Sequence, residues 1–138
     1  TRYISVTGVQ TCALPIFGYV SGEELAAAYR TADVFVLPSY FPEGFPLAAM
    51  EAMGYALPVI TTRIRGCADH LEEGVNALFV PARDPSALAA AMERLAGDGQ
   101  LREAMGRANA TKVEDFAPAR VMPAYIEVLD AVIGEASA

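Results

Sequence analysis

Val34-Phe35-Val36-Leu37-Pro38-Ser39-Tyr40-Phe41-Pro42-Glu43-Gly44-Phe45-Pro46-Leu47-Ala48-Ala49-Met50-Glu51 changes character twice within eighteen residues, and both changes decide the fold. Val34 to Leu37 is β-branched and aromatic without a polar break, the pattern of a short central strand covered on both faces, and Pro38 stops it. Gly44-Phe45-Pro46 then opens a helix, with proline near the first helical position, where its missing N–H costs nothing. That helix is expected to end at Gly54.

Upstream, Ser21 and Glu24 have the spacing of a capping box, and Leu25, Ala28 and Tyr29 continue a helix to about Arg30. Downstream, Pro58-Val59-Ile60-Thr61 reads as a second strand and Leu78-Phe79-Val80 as a third, closed by Pro81. Asp84-Pro85 is an acidic cap followed by proline, the start of a helix that ends near Gly97-Asp98-Gly99. Two more helices are expected, about residues 100–112 and 119–133, the last with an apolar stripe at Val121, Tyr125, Val128 and Val132. Strands alternating with helices over short connections define an α/β fold, a parallel sheet joined by right-handed crossovers. Such sheets bind ligands beyond the carboxyl ends of their strands, which directs attention to residues 39–47 and 61–66.

The chain has 138 residues, enough for one domain and one core. Hydrophobic residues make up 54% and charged residues 20%, which excludes disorder as the main state. A net charge of −7 argues against nucleic acid or anionic lipid as a partner held by bulk electrostatics. No apolar run reaches the roughly 18–20 residues of a spanning helix, so a soluble, cytoplasmic protein is expected. Two cysteines, Cys12 and Cys67, are few for an aliphatic-rich chain that needs no staple, and a reducing compartment fits them.

Residues 1–16 read differently from the rest. They have neither the charged start nor the cleavage site of a signal peptide, and no periodicity. Val6 to Ile16, VTGVQTCALPI, resembles the in-frame translation of a short-read sequencing-library adapter, with Thr1-Arg2 as its outer arm. Residues 1–16 are therefore expected to be an adapter-derived artefact, and biological sequence to begin near Phe17; the alternative is a buried strand ending at Phe17. Without this segment Cys67 is the sole cysteine, which removes any intramolecular disulfide.

The chemistry-bearing residues gather around the second helix. Free N–H groups in its first turn and the positive end of its dipole favour phosphate, and Gly44 lets a ligand approach the backbone. Phe45, Leu47 and Ala48 have N–H groups to donate, whereas Pro46 has none. Glu51 follows Pro46 by five residues, about 7.5 Å along a helix axis, comparable to the span from a diphosphate to a ribose. Arg63 and Arg65 are candidates to reach the same phosphates. His70, the only histidine, is expected to be a surface residue, and Cys67 a small semi-buried one.

With these residues in place, the chain resembles the donor-binding C-terminal lobe of glycosyltransferase family 4, retaining enzymes of GT-B architecture. The resemblance runs from Phe17 to about Leu129 and is anchored on the E-x7-E spacing of Glu43 and Glu51, between VFVLPS and EAMGYALPVITT. It implies that residues 17–138 are a partial nucleotide-sugar-binding domain of a hexosyltransferase. Glu43 then matches the catalytic-site glutamate that contacts donor-sugar hydroxyls near the reacting carbon. Glu51 matches the glutamate that binds ribose hydroxyls, and Gly44, Phe45, Pro46 and Leu47 the donor's phosphate and sugar contacts. Gly18, Tyr19 and Val20 match the segment near the base.

The resemblance further implies a UDP- or GDP-linked sugar donor and a separate acceptor, with no cofactor and no metal, because a helix N-terminus and basic side chains neutralise the leaving diphosphate. Membrane association is expected only peripherally, through an acceptor lobe this chain lacks. In the usual strand order 3-2-1-4-5-6 the chain carries strands four, five and six, with a stub of three near Phe17. The strand at residues 34–37 becomes an open edge, and the apolar stripe of the last helix is left exposed.

Departures from the family pattern are equally legible. Its phosphate-binding Arg and Lys precede the matching region, so the chain alone is expected to be inactive. Where the family often has Gly-Gly-x-Pro-Glu, this chain has Arg65-Gly66-Cys67-Ala68-Asp69, and Asp69 offers a carboxylate of shorter reach. Three other readings fit the composition and pattern: a noncatalytic nucleotide-sugar-binding module, another GT-B enzyme such as a sugar-nucleotide epimerase, and a purely structural α/β protein.

Overall fold

The structure is a computed structural model and describes residues 18–136. The adapter-like segment and the strand stub expected near Phe17 lie outside the described residues. The described chain runs α1 (Gly22–Thr31), β1 (Phe35–Leu37), α2 (Leu47–Gly54), β2 (Val59–Thr62), α3 (Arg65–His70), β3 (Ala77–Val80), α4 (Pro85–Gly97), α5 (Gly99–Lys112), a 3-10 turn (Val113–Phe116) and α6 (Pro118–Ala136).

Three strands form one parallel sheet in the order β1-β2-β3, with Val36 opposite Ile60 and Ile60 opposite Leu78. That is the α/β arrangement expected for strands four to six. β2 is buried along its whole length, as a parallel strand between two neighbours and two helical layers should be. β1 is half-buried instead of covered on both faces, because among the described residues it pairs on one side only.

Two clusters make the core, one on each face of the sheet. Met53, Val59, Ile64, Cys67, Leu71 and Ala77 form one, beneath α2 and α3. Ile60, Leu78, Val80, Leu95 and Met105 form the other, beneath α4 and α5. Alternate residues of β2 supply both, Val59 to the first and Ile60 to the second, as the two-residue period of a strand requires.

The strongest local signals lie where they were expected. Asp84 caps α4 by accepting from the Ala87 N–H at 2.9 Å, with Pro85 behind it. Asp98, read from sequence as part of a helix end, also caps α5 through the Leu101 N–H at 2.9 Å. Three expectations are corrected. Ser21 makes no capping hydrogen bond; the chain turns at Gly22, φ +56°, as it enters α1. Gly44 and Phe45, read as opening α2, lie ahead of it, and Pro46 is its N-cap, next to the first helical position. Residues 65–70, for which no helix was expected, form the helix α3.

α5 ties the sheet to its connections. Asn109 is fully buried and donates to the carbonyls of Leu57 at 2.7 Å and Asn76 at 2.9 Å, residues that introduce β2 and β3. Gly106 lies against Ala56, where a Cβ would stand 2.2 Å from the Ala56 carbonyl oxygen. By contrast α6, whose stripe was expected to be exposed, displays Tyr125 and Val128 at 64% exposure each and packs mainly on the 3-10 turn.

Candidate functional site

The loop after β1 and the helix α2 carry the two glutamates. Glu43 sits on the exposed loop that leads into α2, and Glu51 on the exposed side of α2. The first hydrogen bonds of α2 run from Ala49 and Met50 to the Pro46 carbonyl, at 3.0 and 3.2 Å. Helix geometry therefore leaves the Leu47 and Ala48 N–H groups without an acceptor within the helix. Leu47 is 73% exposed, so this end of the helix is open to a ligand. Nothing in the structure lies within 4 Å of a Cβ placed on Gly44, so the space beside that glycine is open too.

The loop is held from beneath. Thr61 donates to the Leu37 carbonyl at 2.9 Å, and Thr62 donates to the Ser39 carbonyl. Both threonines are buried at the end of β2, so their hydroxyls fix the exit of β1. Gly66, at the start of α3, touches the Gly44–Phe45 peptide directly. The Phe45 ring packs tilted against His70 and Phe116 at ring separations of 5.0 and 5.2 Å, so the exposed His70 is a packing partner of this loop.

Glu51 has a partner that sequence reasoning missed. The Tyr29 hydroxyl of α1 donates to its Oε2 at 3.0 Å. Burial and the Glu51 carboxylate push the Tyr29 phenol up to about 12. Only the helical spacing of Tyr29 was visible in sequence; nothing local pairs residues 22 positions apart.

The two arginines go to different places. Arg65 begins α3, beside Gly66 and hence near the Gly44 peptide, and pairs with Asp69 at 3.8 Å. Asp69 is thereby engaged in an ion pair within its own helix. Arg63 lies with its guanidinium 4.4 Å over the Phe79 ring and 3.9 Å from Glu73. It lines a cleft of about 460 Å³ with Tyr40, Thr62, Ile64, Phe79 and Val80, beyond the carboxyl ends of β2 and β3; neither Glu43 nor Glu51 lines that cleft.

Cys67 is fully buried, deeper than the semi-buried position expected. Burial is the main cause holding its thiol above the usual range, and the nearby Glu43 carboxylate adds to it, against a lowering hydrogen bond from Thr61. Gly18, at φ +67°, and Tyr19, 94% exposed, lie just ahead of α1. Among the described residues no group of three His, Cys, Asp or Glu is placed to hold a metal ion, and no helix is long and apolar enough to cross a membrane.

A parallel α/β lobe of this topology has the architecture of the GT-B glycosyltransferases. The chain belongs to the family of glycosyl transferases group 1, whose profile matches residues 4–98. It is similar to the D-inositol 3-phosphate glycosyltransferase of Paenarthrobacter aurescens, 42% identical over 97 residues that make up 70% of this chain and 24% of that protein. Among solved structures it resembles sucrose-phosphate synthase from Thermosynechococcus elongatus, with TM-score 0.72 and 33% identity over 83% of this chain and 30% of that one. An Anabaena protein solved in complex with UDP shares the fold at TM-score 0.72 and 21% identity, over 75% of this chain and 29% of that one. The chain thus spans about a quarter of the length of the curated relatives it matches.

Proposed function

We propose that this chain is the donor-binding part of a cytoplasmic retaining glycosyltransferase that moves a hexose from a nucleotide-diphosphate sugar to an acceptor. The observation that carries the reading is the arrangement around α2: Glu43 ahead of its open N-terminus, Glu51 one turn inside, and unpaired N–H groups between them. In this reading the Leu47 and Ala48 amides and the dipole of α2 receive the diphosphate, whose negative charge grows as the glycosidic bond breaks. Glu51 accepts ribose hydroxyls, and Glu43 accepts hydroxyls of the donor sugar, holding its reacting carbon over the acceptor. Arg65, beside the Gly44 peptide, is better placed for the phosphates than Arg63. Gly18, Tyr19 and Val20 border the base, which leaves UDP and GDP both open.

The experiment uses the complete reading frame from the source DNA, with Glu43→Gln and Glu51→Ala made separately. A glycosyltransferase loses turnover in Glu43→Gln while keeping nucleotide affinity, and loses nucleotide affinity in Glu51→Ala. A noncatalytic module is indifferent to Glu43, and a sugar-nucleotide epimerase releases free sugar and nucleotide without an acceptor. Sequencing the same DNA across the codon for Phe17 tests the adapter origin of residues 1–16, which predicts that other codons stand there.

A further inference from the structure

We infer that Tyr29 is a positioning residue for the donor ribose, its hydroxyl holding the Glu51 carboxylate in the orientation that accepts two vicinal hydroxyls. This rests on the reading of Glu51 as the ribose carboxylate. The Tyr29 hydroxyl is 3.0 Å from Glu51 Oε2 and 3.4 Å from the Ala48 carbonyl oxygen. It has one proton to give, and the nearer, charged acceptor takes it. The ring itself cannot wander: it stacks on Tyr55 at 5.2 Å and 11°, and meets Phe35 at 6.2 Å. Tyr55 caps the carboxyl end of α2 and Phe35 opens β1, so the phenol is fixed by the two elements that flank the site.

Glu51 is exposed, and an exposed glutamate free to rotate must be ordered when a ligand arrives. The Tyr29 contact orders it beforehand. An ionised carboxylate has about four acceptor positions, so one bond from tyrosine leaves room for two from a ribose. The phenol's raised pKa keeps it a donor throughout the neutral range.

The test titrates the protein of the complete reading frame with UDP, 2′,3′-dideoxyuridine 5′-diphosphate and inorganic pyrophosphate, read by calorimetry, for the unaltered protein, Tyr29→Phe and Glu51→Ala. Tyr29→Phe keeps the ring and its stacking and removes only the hydroxyl. The unaltered protein is expected to favour UDP over the dideoxy nucleotide by about tenfold, Glu51→Ala by about onefold and Tyr29→Phe by about threefold or less. Pyrophosphate affinity should stay within about twofold in Tyr29→Phe, since the N-terminus of α2 is untouched. If Tyr29→Phe keeps the full preference while Glu51→Ala loses it, the inference is overturned and the ribose reading survives. If Glu51→Ala keeps the preference, the ribose reading fails and the inference with it. A Tyr29→Phe chain that loses UDP and pyrophosphate alike shows a merely structural role and also overturns it.

Discussion

Gly66 and Gly44 are in backbone contact: a Cβ on Gly66 would stand 2.1 Å from the Gly44 carbonyl carbon and 2.4 Å from the Phe45 nitrogen. Neither atom belongs to a flexible side chain, so any larger residue at position 66 must push the Glu43-bearing loop away from α3. Gly66→Ala is expected to cost about 3 kcal/mol, the upper end for overpacking, and to lower Tm by about 10 °C. Gly44→Ala, with open space around its Cβ, should leave Tm nearly unchanged while weakening UDP binding. Thermal unfolding of the two variants side by side checks the contrast, and a Gly66→Ala chain as stable as the parent would refute the contact.

The raised pKa of Tyr29 makes a statement about alkaline stability. The folded state favours the neutral phenol, so its contribution is fully present below the ordinary tyrosine value near 10 and is lost as pH rises toward about 12. The stability difference between the parent and Tyr29→Phe should be constant at neutral pH and shift in favour of the variant across that window. Denaturant unfolding at a series of alkaline pH values measures it; a constant difference from pH 8 to about 12 would contradict the burial and the Glu51 contact that together raise the phenol.

Cys67 should be chemically quiet. Full burial and a thiol pKa held above its usual value both suppress the thiolate that reacts with alkylating agents. Iodoacetamide at pH 8 is expected to label it slowly in the native chain and rapidly in denaturant. Equal rates in both conditions would mean that α3 does not cover the thiol.

Asn109→Asp should be worse than Asn109→Ala. Alanine strands the Leu57 and Asn76 carbonyls, at about 2–3 kcal/mol together, whereas aspartate also sets a carboxylate against them. Denaturant midpoints of the two variants give the ranking, and an aspartate variant of parental stability would exclude the two hydrogen bonds donated by Nδ2.

What was legible in the sequence was local. Asp84-Pro85 announces α4 because cap and proline act within one turn, and the apolar run at residues 59–61 announces β2 because both its faces are buried. α3 was not legible: six residues with a glycine inside carry no periodic signal, and the helix exists because Gly66 fits Gly44 and Cys67 enters the core. The spacing of Glu43 and Glu51 could be read directly, but their neighbours could not. Tyr29 reaches Glu51 across 22 positions and His70 reaches Phe45 across a whole strand, contacts that only the assembled sheet creates.

α6 has a consequence of another kind. Residues 121–134 are each exposed, and among the described residues the helix packs mainly on the short turn before it, with Pro123 interrupting its early backbone pairing. Such a segment opens without disturbing the sheet, so it behaves as a separate cooperative unit of low stability. Amide hydrogens of α6 should exchange with solvent orders of magnitude faster than those of β2, and cutting the chain near residue 118 should remove little of the unfolding enthalpy. A melting curve of this chain then reports the sheet and leaves α6 largely unread.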